Sequence, residues 1–589
     1  MLIGLVVAAV VQLREQPAEA TTQIQNTETT LDNSSPSTTG VPDAAPPFVY
    51  RIGVLSGIST DNFWAYYGEE PSVWNSYILG PTKPALYSVD PKSGNVQPEL
   101  AAAMSSPTWD ADGWRVRVEL NPYFRWSDGE PVTADDFVFT FDTVRALELG
   151  GSWSAAFPDT VESVHADGEH TLRIEFTERP NLATWPNGVG LAPVMAAHVW
   201  RDVATGSTAA DFYAASGERD VSGGPLQVMA TGPDVITSRA NTGYPVYDTP
   251  DTVEYHVYGS EADMAAAVAA GEIDTTISPN GVPLDQLGAL EATPGVAMLA
   301  SPANSVRYLG FNLTRAPMSD KAFRTALAFL VDREHLAETL SVGEPAWSLL
   351  PAANTKWFDE TAAGENAARH QGEPADRLQR ALTELKAAGY AWANEPRVGD
   401  AGTLVAGDGL TIGGVTPQPL TILVPGDNYD PAGPEYVDAI AAALGSLGFD
   451  ARPVETDFDT VVDLVFTPGD DDLLHYDMYV LGWTLGSPAL PEYYRPLFAA
   501  DGEMNNTGYS SKTFEAALAD YEGAYTVDQA RDALWMMEKT LSEDLPYLPL
   551  YTSRLHEVYR SDQVGFDVGE SLGGLQARLG GIADVHPSG

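Results

Sequence analysis

The chain has 589 residues, too many for a single hydrophobic core, so two or three lobes are expected. Its 82 acidic against 32 basic residues give a net charge of -50, which excludes nucleic acid and anionic membrane surfaces as partners, because both demand clustered Lys and Arg. Cysteine is absent, which removes disulfides, thiolate metal sites and a catalytic thiol.

Met1 to Val11 is an apolar run too short to span a bilayer unaided. It resembles the core of a secretion signal, although no basic residue precedes it, and Ala18-Glu19-Ala20 offers a small-x-small cleavage site. Residues 1–15 are read as a signal-like or anchor segment, and export is expected by either route. Residues 16–47 are rich in Thr, Ser, Asn, Pro and Ala, the composition of a disordered tether.

Phe48 to Leu55 is the first expected strand, followed by the aromatic-dense stretch Asp61 to Asn75. Ligands of open α/β sheets bind outside strand carboxyl ends, which makes Trp64 a cleft candidate. In Pro98 to Phe141, Trp114, Val116, Val118 and Leu120 alternate with Arg115, Arg117 and Glu119, as in a half-buried strand. Asp128-Gly129 supplies turn chemistry, and Thr133-Ala134-Asp135-Asp136 reads as a helix N-terminus. Thr171 to Phe176 is a strand expected to pair with the region of Val161 to Val164. Val253 to Val257, Glu261 to Ala270 and Ile273 to Ile277 make a strand-helix-strand unit with parallel pairing, Gly271 ending the helix. A strand from Val306 to Leu313 and a helix from Lys321 to Leu340 follow, then an amphipathic helix from Asp376 to Ala388. Leu420 to Val424, Glu435 to Leu447 and Phe449 to Val454 form a second such unit, so two α/β cores are expected. Asp477 to Trp483 reads as a buried strand.

Catalytic signals are missing. Gly482-Trp483-Thr484-Leu485-Gly486-Ser487 fails the spacing of a nucleophile elbow, and the nine histidines show no paired spacing. Asp470-Asp471-Asp472 lacks the alternating ligands of a calcium loop and reads as a solvated acidic loop. No metal and no cofactor are expected.

Several of these stretches together carry a resemblance. Pro98-Glu99-Leu100-Ala101, Asp112-Gly113-Trp114, Trp126-Ser127-Asp128-Gly129-Glu130-Pro131 and Thr133-Ala134-Asp135-Asp136-Phe137-Val138 match in order and spacing the signature of bacterial extracellular solute-binding proteins of family 5. This is the dipeptide- and oligopeptide-binding class of ABC-transporter receptors. Ala270-Gly271-Glu272-Ile273-Asp274, Val306 to Leu313, Asp332-Arg333-Glu334, Asp477 to Trp483 and Glu543 to Leu550 resemble its later motifs, so the resemblance covers about Phe48 to Asp562.

The resemblance implies an α/β, periplasmic-binding-protein-like two-lobe fold (type II, cluster C) with an extra small domain in the amino-terminal lobe. Lobe I would comprise residues 48–80, 224–312 and 549–589, the additional domain residues 81–223, and lobe II residues 313–548. It further implies a non-enzymatic receptor that closes by a hinge on a small-molecule or peptide ligand and delivers it to an ABC permease and ATPase complex. A monomer, periplasmic or cell-surface, is expected; without cysteine the lipid anchor of many relatives is not supported. Expected ligand contacts are Trp483, Thr484, Gly486, Asn312 and Trp64. In peptide-binding relatives an Asp three residues after the strand tryptophan receives the peptide amino terminus; here that position is Gly486. Oligopeptide is the expected ligand, with an oligosaccharide or other solute as the alternative. A secreted glycoside hydrolase, and a peptide-binding chaperone or signalling receptor, remain open from other classes.

Overall fold

The computed structural model describes residues 47–110, 113–278, 281–340, 343–399, 403–426, 429–430, 432–469 and 473–588. The expected leader and most of the tether, Asp112, and the Asp470-Asp471-Asp472 run lie outside the described residues.

The first lobe forms around Val49–Val54, whose Tyr50, Ile52 and Val54 are buried. This strand pairs in parallel with Thr252–Val257 on one side and Thr275–Thr276 on the other. The expected strand-helix-strand unit is therefore present, but its two strands do not pair with each other; the first strand of the chain lies between them. The connecting helix Glu261–Ala270 starts where the Ser260 side chain accepts from the Asp263 amide and ends at Gly271 with φ 74°, a conformation that favours glycine. Strands Val235–Ala240 and Leu226–Thr231 extend this edge.

The second lobe is built on Ser305–Phe311, Met478–Thr484, Leu420–Pro425 and Ala451–Thr456. Here Leu420–Pro425 and Ala451–Thr456 do pair in parallel, with the helix Gly433–Ser446 between them in sequence. Residues up to 312 were expected in the first lobe, yet Ser305–Phe311 pairs along its whole length with Met478–Thr484, so it belongs to the second lobe's sheet. The expected single helix from Lys321 to Leu340 is two, Lys321–Leu330 and Arg333–Leu340, because Val331 is extended. The break turns Arg333 inward, where it is buried, donates to the carbonyls of Ala346 and Pro549, and lies 3.8 Å over the Trp347 ring.

An additional domain holds a four-stranded antiparallel sheet, in the order Thr108–Asp110, Gly113–Glu119, Thr171–Phe176 and Val161–Gly168. Alternation along Gly113–Glu119 buries Val116 and Val118 and exposes Arg117. The Asp136 carboxylate, at the start of helix Ala134–Ala146, accepts from the amides of Thr133 (2.9 Å) and Ala197 (2.8 Å) and from the indole of Trp126 (3.3 Å). One side chain thus ties the signature's turn, helix and following segment together.

Both lobes share the long strand Tyr547–Arg560. Its first part pairs with Ser305–Phe311 and its last part with Val296–Pro302. Chain crossings between the lobes therefore lie side by side at 303–304 and 552–553, joined by the Ala303 amide to the Ser553 carbonyl at 3.0 Å. Beside them the part-buried Arg307 donates from Nη1 to the Tyr429 hydroxyl (2.9 Å) and sits 3.6 Å from Asp430 Oδ2, while the Tyr551 hydroxyl donates to both Asp430 oxygens at 2.6 Å. Burial opposes the guanidinium charge, but Tyr429 and Asp430 outweigh it and hold the Arg307 pKa above its ordinary value. A Cβ at Gly482 would overlap Arg307 Nη1, which is why that strand carries glycine before Trp483.

Removing one partner of a buried ion pair costs about 3–5 kcal/mol, and loss of one hydrogen bond to a buried carboxylate about 1–3 kcal/mol. Arg307→Met is accordingly expected to lower unfolding free energy in urea more than Tyr551→Phe does. Equal midpoints for Arg307→Met and wild type would show that the pair does not support the hinge.

Candidate functional site

The antiparallel register of Ser305–Phe311 with Met478–Thr484 sets Ser305 opposite Thr484 and Val306 opposite Trp483. These residues consequently stand at the end of the second lobe's sheet that meets the crossing. Trp483 is 9% exposed, its ring parallel to Tyr308 at 6.5 Å and edge-on to Phe466 at 6.0 Å, so only a rim of the indole is open. Thr484 is exposed, and the chain then turns through Gly486, with φ 66°. Asn304, at the crossing itself, anchors this turn: its carbonyl accepts from the Leu485 amide (2.9 Å) and its side chain donates to the Gly486 carbonyl (2.8 Å).

Past this turn the segment 488–492 faces the first lobe's additional domain. Lys356 Nζ donates to the carbonyls of Gly94 (2.9 Å) and Ala489 (2.7 Å), one from each side of the gap. Nearby, the Leu182 amide donates to the Ala524 carbonyl (2.9 Å), Asn181 to the Glu522 carbonyl (2.8 Å), and the Arg179 guanidinium lies 4.0 Å over the Tyr525 ring. All of these use backbone carbonyls or an aromatic face, so none ties up a carboxylate.

In the first lobe Tyr66 and Tyr67 are half-buried, Tyr67 packed 4.6 Å from the Trp153 ring. Burial, with the charge of Glu492 adding to it, pushes the Tyr67 hydroxyl up to about 12. Burial also raises the Glu492 carboxyl above its ordinary value.

Trp483, Thr484 and Gly486 are thus brought together at the interlobe end of the sheet; Asn312 and Trp64 are elsewhere. Asn312 lies beyond the opposite end of Ser305–Phe311, buried, its side chain donating to the carbonyls of Leu474 (3.1 Å) and Tyr476 (2.9 Å). Its role there is to satisfy buried backbone, a need that an Asn in a strand motif does not announce. Trp64 is fully buried against Trp153 (4.7 Å) and Phe212 (5.1 Å), and its carbonyl accepts from the Trp153 indole. The helix Phe63–Gly68 turns Trp64 into the core and leaves Tyr66 and Tyr67 half-buried. The aromatic stretch signalled the right helix; which face it buries was not readable from it. Glu492 and Lys356 carried no sequence signal. Among the described residues no group of His, Cys, Asp and Glu is placed to hold a metal ion, and no described helix is long and apolar enough to cross a membrane.

The sequence profile of "Bacterial extracellular solute-binding proteins, family 5 Middle" matches residues 95–505. The peptide transport periplasmic protein SapA of Salmonella typhimurium is 22% identical over 507 residues, covering 82% of this chain and 83% of SapA. Among solved structures, the ABC transporter substrate-binding protein CtaP of Listeria monocytogenes superposes with a TM-score of 0.69 at 17% identity, covering 92% of this chain and 99% of CtaP. The oligopeptide-binding protein AppA of Bacillus subtilis, in complex with a nonapeptide, does so with a TM-score of 0.61 at 18% identity, covering 92% and 100%.

Trp64→Ala is expected to cost about 3–5 kcal/mol of unfolding free energy, as large core truncations do. Wild-type stability in that variant would return Trp64 to the cleft surface. Lys356 carries a pH dependence: burial lowers its pKa from 10.5 to about 8. Below that lowered value the amine is charged in both states and the buried contact bears the full desolvation penalty. Between the lowered and the ordinary value, forming the contact sheds a proton, so the lobes hold together better as pH rises. Interlobe distances from paired spin labels should shorten from pH 7 to pH 10 in wild type and stay level in Lys356→Met; equal profiles would reject the assignment.

Proposed function

The chain belongs to the bacterial extracellular solute-binding proteins of family 5, and on that premise we propose that it is the receptor of an ABC importer that captures an oligopeptide between its lobes. The observation that carries this reading is the paired crossing at 303–304 and 552–553. Two adjacent strands are the connections that let one half-sheet turn against the other, and the interlobe end of Met478–Thr484 faces the gap they span. A ligand that touches both lobes stabilises the closed form by its differential affinity, and closure presents a new surface to a permease.

Residues 48–80, 224–302 and 554–588 would form the first lobe, 81–223 its additional domain, and 305–551 the second lobe. Trp483 and Thr484 would contact ligand from the second lobe, with Gly486 shaping the turn beneath it, and Tyr66 and Tyr67 would contact it from the first. The open rim of Trp483 suits an apolar side chain or a sugar face. Peptide is the favoured cargo because SapA is a peptide transport protein and the AppA structure holds a nonapeptide. Gly486, where peptide-binding relatives have aspartate, supports a second reading in which the cargo is a non-peptide solute such as an oligosaccharide.

Native mass spectrometry of gently purified protein distinguishes the two. The expected result is added mass that fragments into amino-acid residues. Added mass that fragments into hexose units would replace peptide with sugar as the cargo class.

A further inference from the structure

We infer that Arg333 holds a small monovalent anion inside the second lobe, on the edge of its guanidinium formed by Nε and Nη2. Arg333 is 1% exposed. Its Nη1 donates to the carbonyls of Ala346 (3.1 Å) and Pro549 (3.2 Å), and the planar group lies 3.8 Å over the Trp347 ring. Nε and Nη2 are buried as well, and neither has a hydrogen-bond partner among the described residues. Their N–H bonds point the same way, and this fork is the one with which arginine takes a carboxylate through two parallel hydrogen bonds. Burial lowers the Arg333 pKa to about 9, which leaves the group charged at neutral pH. A buried guanidinium with an open fork and no counter-charge is a costly arrangement, and an anion in the fork relieves it.

Among the described residues no carboxylate pairs with Arg333, and the acids on neighbouring elements are engaged elsewhere. Asp332 pairs with Arg377 (2.8 Å) and accepts from the His335 amide (3.1 Å), while Glu334 accepts from Gln371. Asp430 takes Arg307 and the Tyr551 hydroxyl, and Glu538 accepts from Ser348, Tyr494 and the Leu349 amide. The neighbouring rings lead instead to more positive charge. His370 stacks 6.4 Å from Trp347 and lies 5.1 Å from Phe329, over which the Arg380 guanidinium sits at 5.3 Å. Burial, and then the charges of Arg333, Arg369 and Arg380, push His370 down to about 3. In a chain of net charge -50 this is a locally positive interior. The core on which helix Arg333–Leu340 packs also holds a second orphan donor, the Tyr436 hydroxyl, on a fully buried ring stacked 4.8 Å from Tyr551. Enclosure this complete suits chloride or a one-carbon carboxylate and excludes anything of peptide size.

The test follows thermal unfolding of the full chain in sodium chloride or sodium formate, each balanced to one ionic strength with sodium gluconate, whose anion is too large for the fork. Expected for wild type is a midpoint that rises by about 1–3 °C per tenfold increase of the small anion above its dissociation constant. That rise should be absent in Arg333→Met. Equal responses in wild type and Arg333→Met would overturn the inference, because the acidic surface would then be their source. Where Arg333→Met does not fold, wild-type crystals grown in bromide and in formate decide the matter. Expected is an anomalous bromide peak, or formate density, at hydrogen-bond distance from Nε and Nη2. Bromide there assigns a halide, and formate alone assigns a carboxylate. Only water at that edge in both crystals would overturn the anion.

Discussion

A guanidinium–carboxylate pair, its carboxylate buried and its guanidinium partly so, stands where the long strand Tyr547–Arg560 leaves one half-sheet for the other. Arg307 and Tyr551 are register partners across that strand pair, and both converge on Asp430. Immediately after Arg307 the register shifts, so the strand's regular ladder is interrupted at the same place. The pair is thus a rigid foot beside a weakened ladder. It fixes the second lobe up to the crossing, where Thr552 and Ser553 still pair with Glu344 and Gly343 of that lobe. Trp483, packed on Tyr308 and one residue past the glycine that makes room for Arg307, inherits its position from this foot.

The electrostatics of the gap follow a consistent logic. Contacts that join the lobes use carbonyls, amides, an aromatic face, one lysine whose charge is penalised by burial, and one solvent-exposed ion pair, Arg554 with Glu344 at 3.0 Å. Such contacts are individually modest, which keeps the energy difference between open and closed forms small enough for a ligand to tip. The better-buried ion pairs stay inside one lobe, as with Lys83–Asp220 and Arg578–Asp584.

Much of the architecture was legible in the residues. Period-two alternation in Gly113–Glu119, the Ser260 cap and Gly271 stop of one helix, and the two strand-helix-strand units depend on neighbours a few residues away, and local order is what a sequence displays. The motif Leu481-Gly482-Trp483-Thr484 likewise located the strand Met478–Thr484, which ends beside the crossing. Errors came where the outcome depended on distant chain. Val49–Val54 entered between two strands that their connecting helix seemed to pair, and the helix from Lys321 broke because Arg333 finds partners at Ala346 and Pro549.

The site divides along the same line. Composition and local pattern by themselves determined two α/β cores, an acidic chain and the tryptophan strand, since each is a property of residue type and near-neighbour order, whereas the binding-protein fold was implied by the family resemblance. Only the tertiary structure decided which aromatic face of Phe63–Gly68 enters the core, that Asn312 serves backbone carbonyls at the far end of its strand, and that Lys356 reaches Gly94 of the additional domain. Those outcomes join residues 89 to 262 positions apart. A burial choice is defined by what surrounds a side chain, and the chain's linear order does not contain that.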